Sequence, residues 1–343
     1  MEDLLAWREV DRDFYDKELA SWLPSKLFDA HCHLKRDQDC PQLTEELIQS
    51  NWANAVSYPQ YLAEDMEADY EKLFRQSEVF RLHFGPVSKG TNIEGANAYS
   101  ASVADGKQSW ALAVLDPNWS QEHLRDVLVE GQFCGVKPYW GLTGKPEPEV
   151  ALEEMLPEKH VEVLDELGLM ATVHVPGAER LRDEHTLEVL KRWNQQYRKA
   201  RLVIAHLGRC YCLPFAKAAF PELAEADRIL FDCCAVLNPD VFELAFQVLG
   251  PQRILWGTDF PVLSRMRGYR VWEGETYRNI VGGDFPWNKD RQPPEVEAGF
   301  TYFIYEALKG LRIGAERAGL TQDEVDSVLF GNAWRLIPPL VAR

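Results

Sequence analysis

No Cys-x-x-Cys pair occurs in this chain, although it carries seven cysteines, at positions 32, 40, 134, 210, 212, 233 and 234. An odd count without paired spacing argues against a disulfide framework and against a four-cysteine zinc site. It points instead to reduced thiols and a cytoplasmic setting. Adjacent Cys233 and Cys234 would face opposite ways on a strand. Long apolar runs are missing too, since none approaches the roughly 18 residues needed to cross a bilayer. Acidic Glu2 and Asp3 stand first, and no apolar segment of the secretory kind follows them. Positive charge is scarce. The chain sets 37 Lys and Arg against 54 Asp and Glu, a formal net charge of −17. Such a surface repels nucleic acid and anionic membranes, so neither is an expected partner, although a local pocket can oppose the global sign.

What is present is an ordinary globular balance: 343 residues, 46% hydrophobic and 27% charged. That length suits one large α/β unit as well as two smaller ones. Short apolar, β-rich runs alternate with longer helical stretches. The strand candidates are 26–33, 53–59, 110–117, 133–140, 169–175, 201–207, 228–236 and 253–261. Runs such as RLVIAHLG and RILFDCCAV are almost wholly apolar, as in parallel strands covered on both faces. Most begin roughly 25–35 residues apart, the length of one βα unit. About eight such units predict an α/β fold of the (β/α)8 TIM-barrel type. The rival doubly wound sheet would usually place a glycine-rich turn after its first strand, where His31-Cys32-His33-Leu34-Lys35 stands instead.

Residues 1–25 read as an N-terminal helical extension ahead of a barrel over 26–343. Two gaps interrupt the spacing. Residues 60–109 are too long for one helix and contain VFRLHFGPV at 79–87, either an extra strand or the true second one. Residues 262–297 carry Tyr269, Trp272, Tyr277 and Trp287 and leave the expected C-terminal face. They form either a lid over a site or a surface excursion. Asn238-Pro239 and Thr321-Gln322-Asp323-Glu324 are helix-start signals.

Chemistry-bearing residues gather at strand ends. In Phe28-Asp29-Ala30-His31-Cys32-His33, period-two alternation puts both histidines on one face, where they could ligate zinc or a similar ion. A lone His-x-His is more often structural. Here, however, His174 ends LMATVHV, His206 ends its apolar strand, Asp259 ends RILWGTDFP, and Lys137 lies late in FCGVKPYW. Buried without partners, such groups are costly, but in a barrel these ends meet in one pocket. Arg209 could bind a substrate carboxylate or form a rim salt bridge. Tyr139, Trp140 and Trp256 are candidate wall residues, and the faces of Asp29 and Asp232 stay open. His83, His123, His160 and His185 read as packing or surface residues.

His-x-His on the first strand, histidines after the fifth and sixth, Asp259 after the eighth, the TDFP run and the terminal GNAWRL resemble the amidohydrolase superfamily, specifically its amidohydrolase-2 branch. The resemblance covers about residues 26–337. It implies a barrel holding one divalent ion, zinc being the expected one, with ligands His31, His33, His174 and Asp259. Asp259 would also shuttle protons, and His206 would act on substrate or the reactive water. Lys137 would lie near the substrate. A carboxylated lysine bridging two metals and a plain ion pair are its alternatives. An ion at such a site lowers the pKa of its water to about 7. The expected function is hydrolysis of a small amide, lactone or other ester. Nonoxidative decarboxylation of an aromatic or unsaturated acid is the alternative, and a degenerate binding barrel is a third reading. The expected partner is a small-molecule substrate, and homo-oligomerisation is left open.

Overall fold

Eight strands take up the apolar runs in chain order. They are β1 (Lys26–His33), β2 (Glu78–Phe84), β3 (Ser109–Ala111, resuming over Ala113–Val114), β4 (Gly135–Lys137), β5 (Met170–Val173), β6 (Arg201–Ile204), β7 (Ile229–Asp232) and β8 (Ile254–Leu255). Each pairs in parallel with its neighbour in a computed structural model that describes residues 6–41, 44, 60–283 and 288–338. The last strand returns to the first. Ala30 N–H donates to Trp256 O at 3.0 Å, His33 N–H to Phe260 O at 2.9 Å, and Asp259 N–H to His31 O at 2.8 Å. The ring is therefore an α/β barrel of the (β/α)8 type. The strand expected at 53–59 lies outside the described residues. Glu78–Phe84 pairs directly with β1, so the 79–87 run supplies the second described strand.

Helices wrap the ring: α1 (Glu9–Phe14), α2 (Ala63–Leu73), α3 (Ile93–Val103), α4 (Gln121–Glu130), α5 (Glu158–Leu167), α6 (Glu184–Gln196), α7 (Leu213–Ala219), α8 (Pro239–Val248) and α9 (Phe303–Ala318), with shorter turns between them. Side-chain caps start several. Ser120 accepts from His123 N–H at 3.1 Å, Asp183 from Thr186 N–H at 2.8 Å, and Asn238 from Asp240 N–H at 3.0 Å, just before Pro239. Each satisfies one of the backbone donors a helix start leaves open. α1 runs on into Tyr15–Leu19, whose Tyr15 and Leu19 are buried against α9. Fully buried Asp11 ties this segment to Arg267 and to Thr301 Oγ1. No helix among the described residues is long and apolar enough to cross a membrane, and all seven cysteines are free.

Two apolar layers result. Phe28, Leu82, Met170, Val203, Leu230 and Leu255 fill the barrel interior, while the next residue along, such as Leu27, Ala171, Ile204 or Phe231, packs outward under the helices. Period-two alternation thus decides which polar residues enter the lumen. It breaks usefully twice. In β1 the pairing with β2 shifts between Asp29 and Cys32, so Ala30 lines the interior while Cys32 packs outward. His31 and His33 then both meet the interior Phe84 ring, at 5.1 and 4.4 Å. In β4, Cys134 is interior and Val136 exterior. Between them, Gly135 approaches β5 so closely that a Cβ would lie 1.9 Å from Met170 O. Lys137 is thereby turned inward.

β2 also carries His83 outward, fully buried beneath α3, with Nε2 donating to Ser100 O at 3.0 Å. Nδ1 has no hydrogen-bond partner among the described residues. Burial pulls its pKa down from the ordinary 6.5 to about 4. The unfolded chain therefore binds the proton first, and stability is lost as pH falls from about 6.5 to about 4. One such group removes about 3 kcal/mol over that window. Denaturant titrations should show a shallower acid-side decline for His83→Gln, and an unchanged decline would rule this out.

Candidate active site

The C-terminal ends of the strands bring polar side chains into one layer. β1 delivers His31 and His33, β4 Lys137, β5 His174, β7 Asp232 and then Cys234, and the turn after β8 Asp259. His206 arrives differently, through a left-handed bend after β6. Among the described residues seven non-glycines have positive φ, and five of them are His206, Leu207, Arg209, Ala235 and Asp259 at this mouth. Non-glycine backbone in that region is strained and persists only where the surroundings impose it. Gly257 makes room just past β8, since a Cβ there would sit 2.9 Å from His31 Cβ.

Asp232, with no exposed surface, organises the layer. Its Oδ2 lies 2.8 Å from His31 Nδ1, and its Oδ1 accepts from His206 N–H at 2.8 Å and from the Cys234 thiol at 2.9 Å. Because a carboxylate only accepts, His31 carries its proton on Nδ1 and turns the Nε2 lone pair into the pocket. His206 is arranged likewise. Its Nδ1 lies 3.1 Å from Cys234 O, which fixes the proton on Nδ1 and leaves Nε2 as an acceptor. The Cys234 thiol stands behind that ring, 3.1 Å from Nδ1.

Asp259 faces the Nε2 atoms of His31 and His33. Its Oδ1 lies 3.4 Å from His33 Nε2 and 3.8 Å from His31 Nε2. Two ligands each about 2.1 Å from one tetrahedral ion stand about 3.4 Å apart. That spacing fits a shared cation better than a direct hydrogen bond. Burial drives the pKa values of His31 and His33 well below the ordinary range, helped by Lys137. Neutral imidazoles are the metal-binding form. Burial also raises Asp259, opposed by His206 and Lys137, and a divalent ion would oppose it further. Donor atoms of His31, His206, Cys234 and Asp259 all fall within 4.8 Å of one another. The Cys234 thiol is nonetheless spent on Asp232, and burial holds it protonated, so it supports His206 from behind.

Other expected residues settle as follows. Lys137 is 1% exposed, its Nζ donating to His31 Nε2 at 3.1 Å and lying over Phe84, and burial lowers its pKa to about 8. His174 sits at the same mouth, its ring 5.0 Å from His206 and 4.9 Å from Tyr139. Its pKa is pushed well down by burial and then by His206 and Arg209. Trp140 packs beside Tyr139 at 5.3 Å and turns towards the outer shell. Arg209 takes the salt-bridge arrangement, with Nη1 on Glu147 at 2.5 Å and on the carbonyls of Val175 and Gly177 at 3.1 Å. Trp256 is not a wall residue. It lies on the outer face of β8 against Phe74, because alternation from interior Leu255 points it outward. Asp29 also stays outside the pocket, fastening β1 to Thr258 and Tyr70.

The 262–297 segment forms a hairpin, β9 (Gly268–Glu273) and β10 (Thr276–Val281). It reaches the mouth through Tyr277, whose ring is 5.3 Å from Tyr211, itself 6.3 Å from His206. Trp287 lies outside the described residues. Sequence reasoning missed Cys234, Tyr211 and the role of Asp232. For Asp232 a signal existed, since it stands two residues after interior Leu230.

The amidohydrolase family model matches residues 28–277. No curated protein sequence matches the chain. Among solved structures, an amidohydrolase from Burkholderia multivorans with bound zinc is similar at TM-score 0.58 and 13% identity, covering 91% of this chain and 98% of that one. A probable 2-pyrone-4,6-dicarboxylic acid hydrolase from Acinetobacter baumannii is similar at TM-score 0.54 and 14% identity, with coverage of 91% and 98%. A 2,6-dihydroxybenzoate decarboxylase from Rhizobium follows at TM-score 0.53 and 11% identity, with coverage of 92% and 99%. At these identities the likeness shows a shared fold.

Proposed function

The chain belongs to the amidohydrolase family, and from that premise we propose that it is a metal-dependent hydrolase of a small amide, lactone or other ester. The observation that carries the reading is the set of inward Nε2 lone pairs on His31 and His33 beside Asp259 Oδ1, at ion-sharing distances. His31, His33, His174 and Asp259 would hold one ion, and the zinc seen in the Burkholderia relative makes zinc the first choice. When bound, such an ion supplies Lewis acidity and acidifies water.

The protein's own groups would do the rest. Asp259 accepts a proton from the attacking water at a carboxylate oxygen. His206, with Nε2 unprotonated, accepts a proton from water or substrate, and it can donate to a developing oxyanion only after that. Lys137 leaves His31 Nε2 when that lone pair is taken, and its ammonium then faces the substrate's oxygen. Tyr139 and Tyr211 wall the pocket. A buried ammonium beside the ligands also suits a substrate carboxylate there, which favours nonoxidative decarboxylation as the second reading.

Metal analysis of protein purified without chelator should find close to one equivalent of a divalent ion. Removing it should abolish turnover, and zinc should restore it. Labelled-water incorporation without CO2 release supports hydrolysis, whereas CO2 release without incorporation supports decarboxylation. Full activity in metal-free protein would overturn both.

A further inference from the structure

Beside the mouth, two guanidinium groups share one tyrosine. Arg270 Cζ lies 4.9 Å from the Tyr211 ring centroid and Arg180 Cζ 5.7 Å from it. Arg270 comes from β9, is 4% exposed, and is also stacked on Tyr277 at 4.4 Å. Its Nε donates to Asn279 Oδ1 and its Nη1 to Ala235 O, at 2.8 and 2.9 Å, and both acceptors are neutral. Nη2 makes no hydrogen bond to a described residue. Arg180 Nη1 donates to Arg209 O at 3.1 Å, again a neutral acceptor. Neither arginine forms an ion pair with a described carboxylate. Elsewhere on this rim Arg182 holds Glu179 and Glu275, and Arg209 holds Glu147.

Two like charges brought together, one of them buried, repel each other and lose hydration without an anion between them. In a chain of net charge −17, carboxylates to quench them are plentiful, yet no described one pairs with either arginine, and Glu275, within electrostatic reach of Arg180, is itself held by Arg182. The spot adjoins the chemistry. Ala235 follows Cys234, whose carbonyl and thiol meet His206, and the Tyr211 ring lies 6.3 Å from the His206 ring.

We propose that Arg270 and Arg180, both packed against the Tyr211 ring, form a subsite for a carboxylate on the substrate, remote from the reacting carbonyl. The planar guanidinium fork suits a carboxylate's two oxygens. The hairpin thereby becomes a specificity element as well as a cover. This deepens the hydrolase reading and rests on it for the word substrate, but its test reads binding alone.

The probes are isophthalate, glutarate and fumarate, each beside its mono-amide, titrated by calorimetry into metal-loaded and chelator-treated protein. A charge-assisted pair is worth about 1.5–3 kcal/mol, or roughly 10- to 100-fold in affinity. Wild type should prefer at least one dicarboxylate over its mono-amide by that factor, with or without metal. In R270Q and in R180Q the preference should shrink to a few-fold, and in the double variant it should vanish. R270K keeps the charge without the fork and should fall between. Arg180 is the more exposed of the two, so R180Q serves if R270Q does not fold. No preference in wild type, or one undiminished in R180Q and R270K, overturns the proposal. A preference in a protein that binds no metal and hydrolyses nothing would sink the hydrolase reading while leaving the subsite standing.

Discussion

Asp259→Asn should lower turnover by about 10²-fold or more and weaken metal retention, with the fold unchanged. The magnitude is typical of losing a positioned acid–base group. Asparagine keeps the shape and one oxygen donor but loses the negative charge and the proton-accepting oxygen. It would face His33 Nε2 at 3.4 Å and His31 Nε2 at 3.8 Å in an already electropositive corner. His206→Asn is the matched control. It should cut turnover comparably while leaving metal stoichiometry close to wild type, because His206 is not among the proposed ligands and Asp232 anchors its bend through the backbone N–H, which the substitution keeps. Metal content measured beside turnover separates the two. An empty site in His206→Asn would make His206 a ligand, and full activity in Asp259→Asn would remove the proton-shuttle role.

Asp232→Asn should loosen metal binding by about 10- to 100-fold, although Asp232 touches no proposed ligand position on the metal side. One carboxylate serves the His31 ring, the His206 backbone N–H and the Cys234 thiol, all of which donate. An asparagine supplies one accepting oxygen and turns an NH2 towards another donor. Either His31 gives up its Nδ1 proton and takes the tautomer that blocks Nε2, or the β6 bend carrying His206 loses its anchor. Competition with a chromophoric chelator gives the affinity, and circular dichroism checks the fold. Cys234→Ser, which preserves a donor to Asp232, should stay within a few-fold of wild type. An Asp232→Asn protein with wild-type affinity would show that His31 is oriented by packing alone.

Much of the site can be read without coordinates, for a physical reason. A polar residue closing an apolar strand must be satisfied or functional, and a parallel barrel brings all such ends to one mouth. His31, His33, His174, His206, Asp259 and Lys137 all stand out in that way. So does the alternation of buried strands and capped helices that makes the architecture, because helix starts such as those at Asn238 and Thr321 are local events. Local chemistry and periodicity suffice for both.

Tertiary structure alone decided the rest, because those choices depend on partners far away in the chain. The register shift in β1 is made against β2, about fifty residues on, and without it Ala30 and His31 could not both turn inward. The close approach of Gly135 to Met170 is what points Lys137 at His31. The ion pair that Arg209 makes is with Glu147, 62 residues earlier. Trp256 lost its place in the pocket to a one-residue question of parity, answered only by seeing Leu255 inside the barrel. Arg270 shows the same limit most plainly. In sequence it is one arginine in a charged loop, and its missing carboxylate appears only once the hairpin has folded over Tyr211.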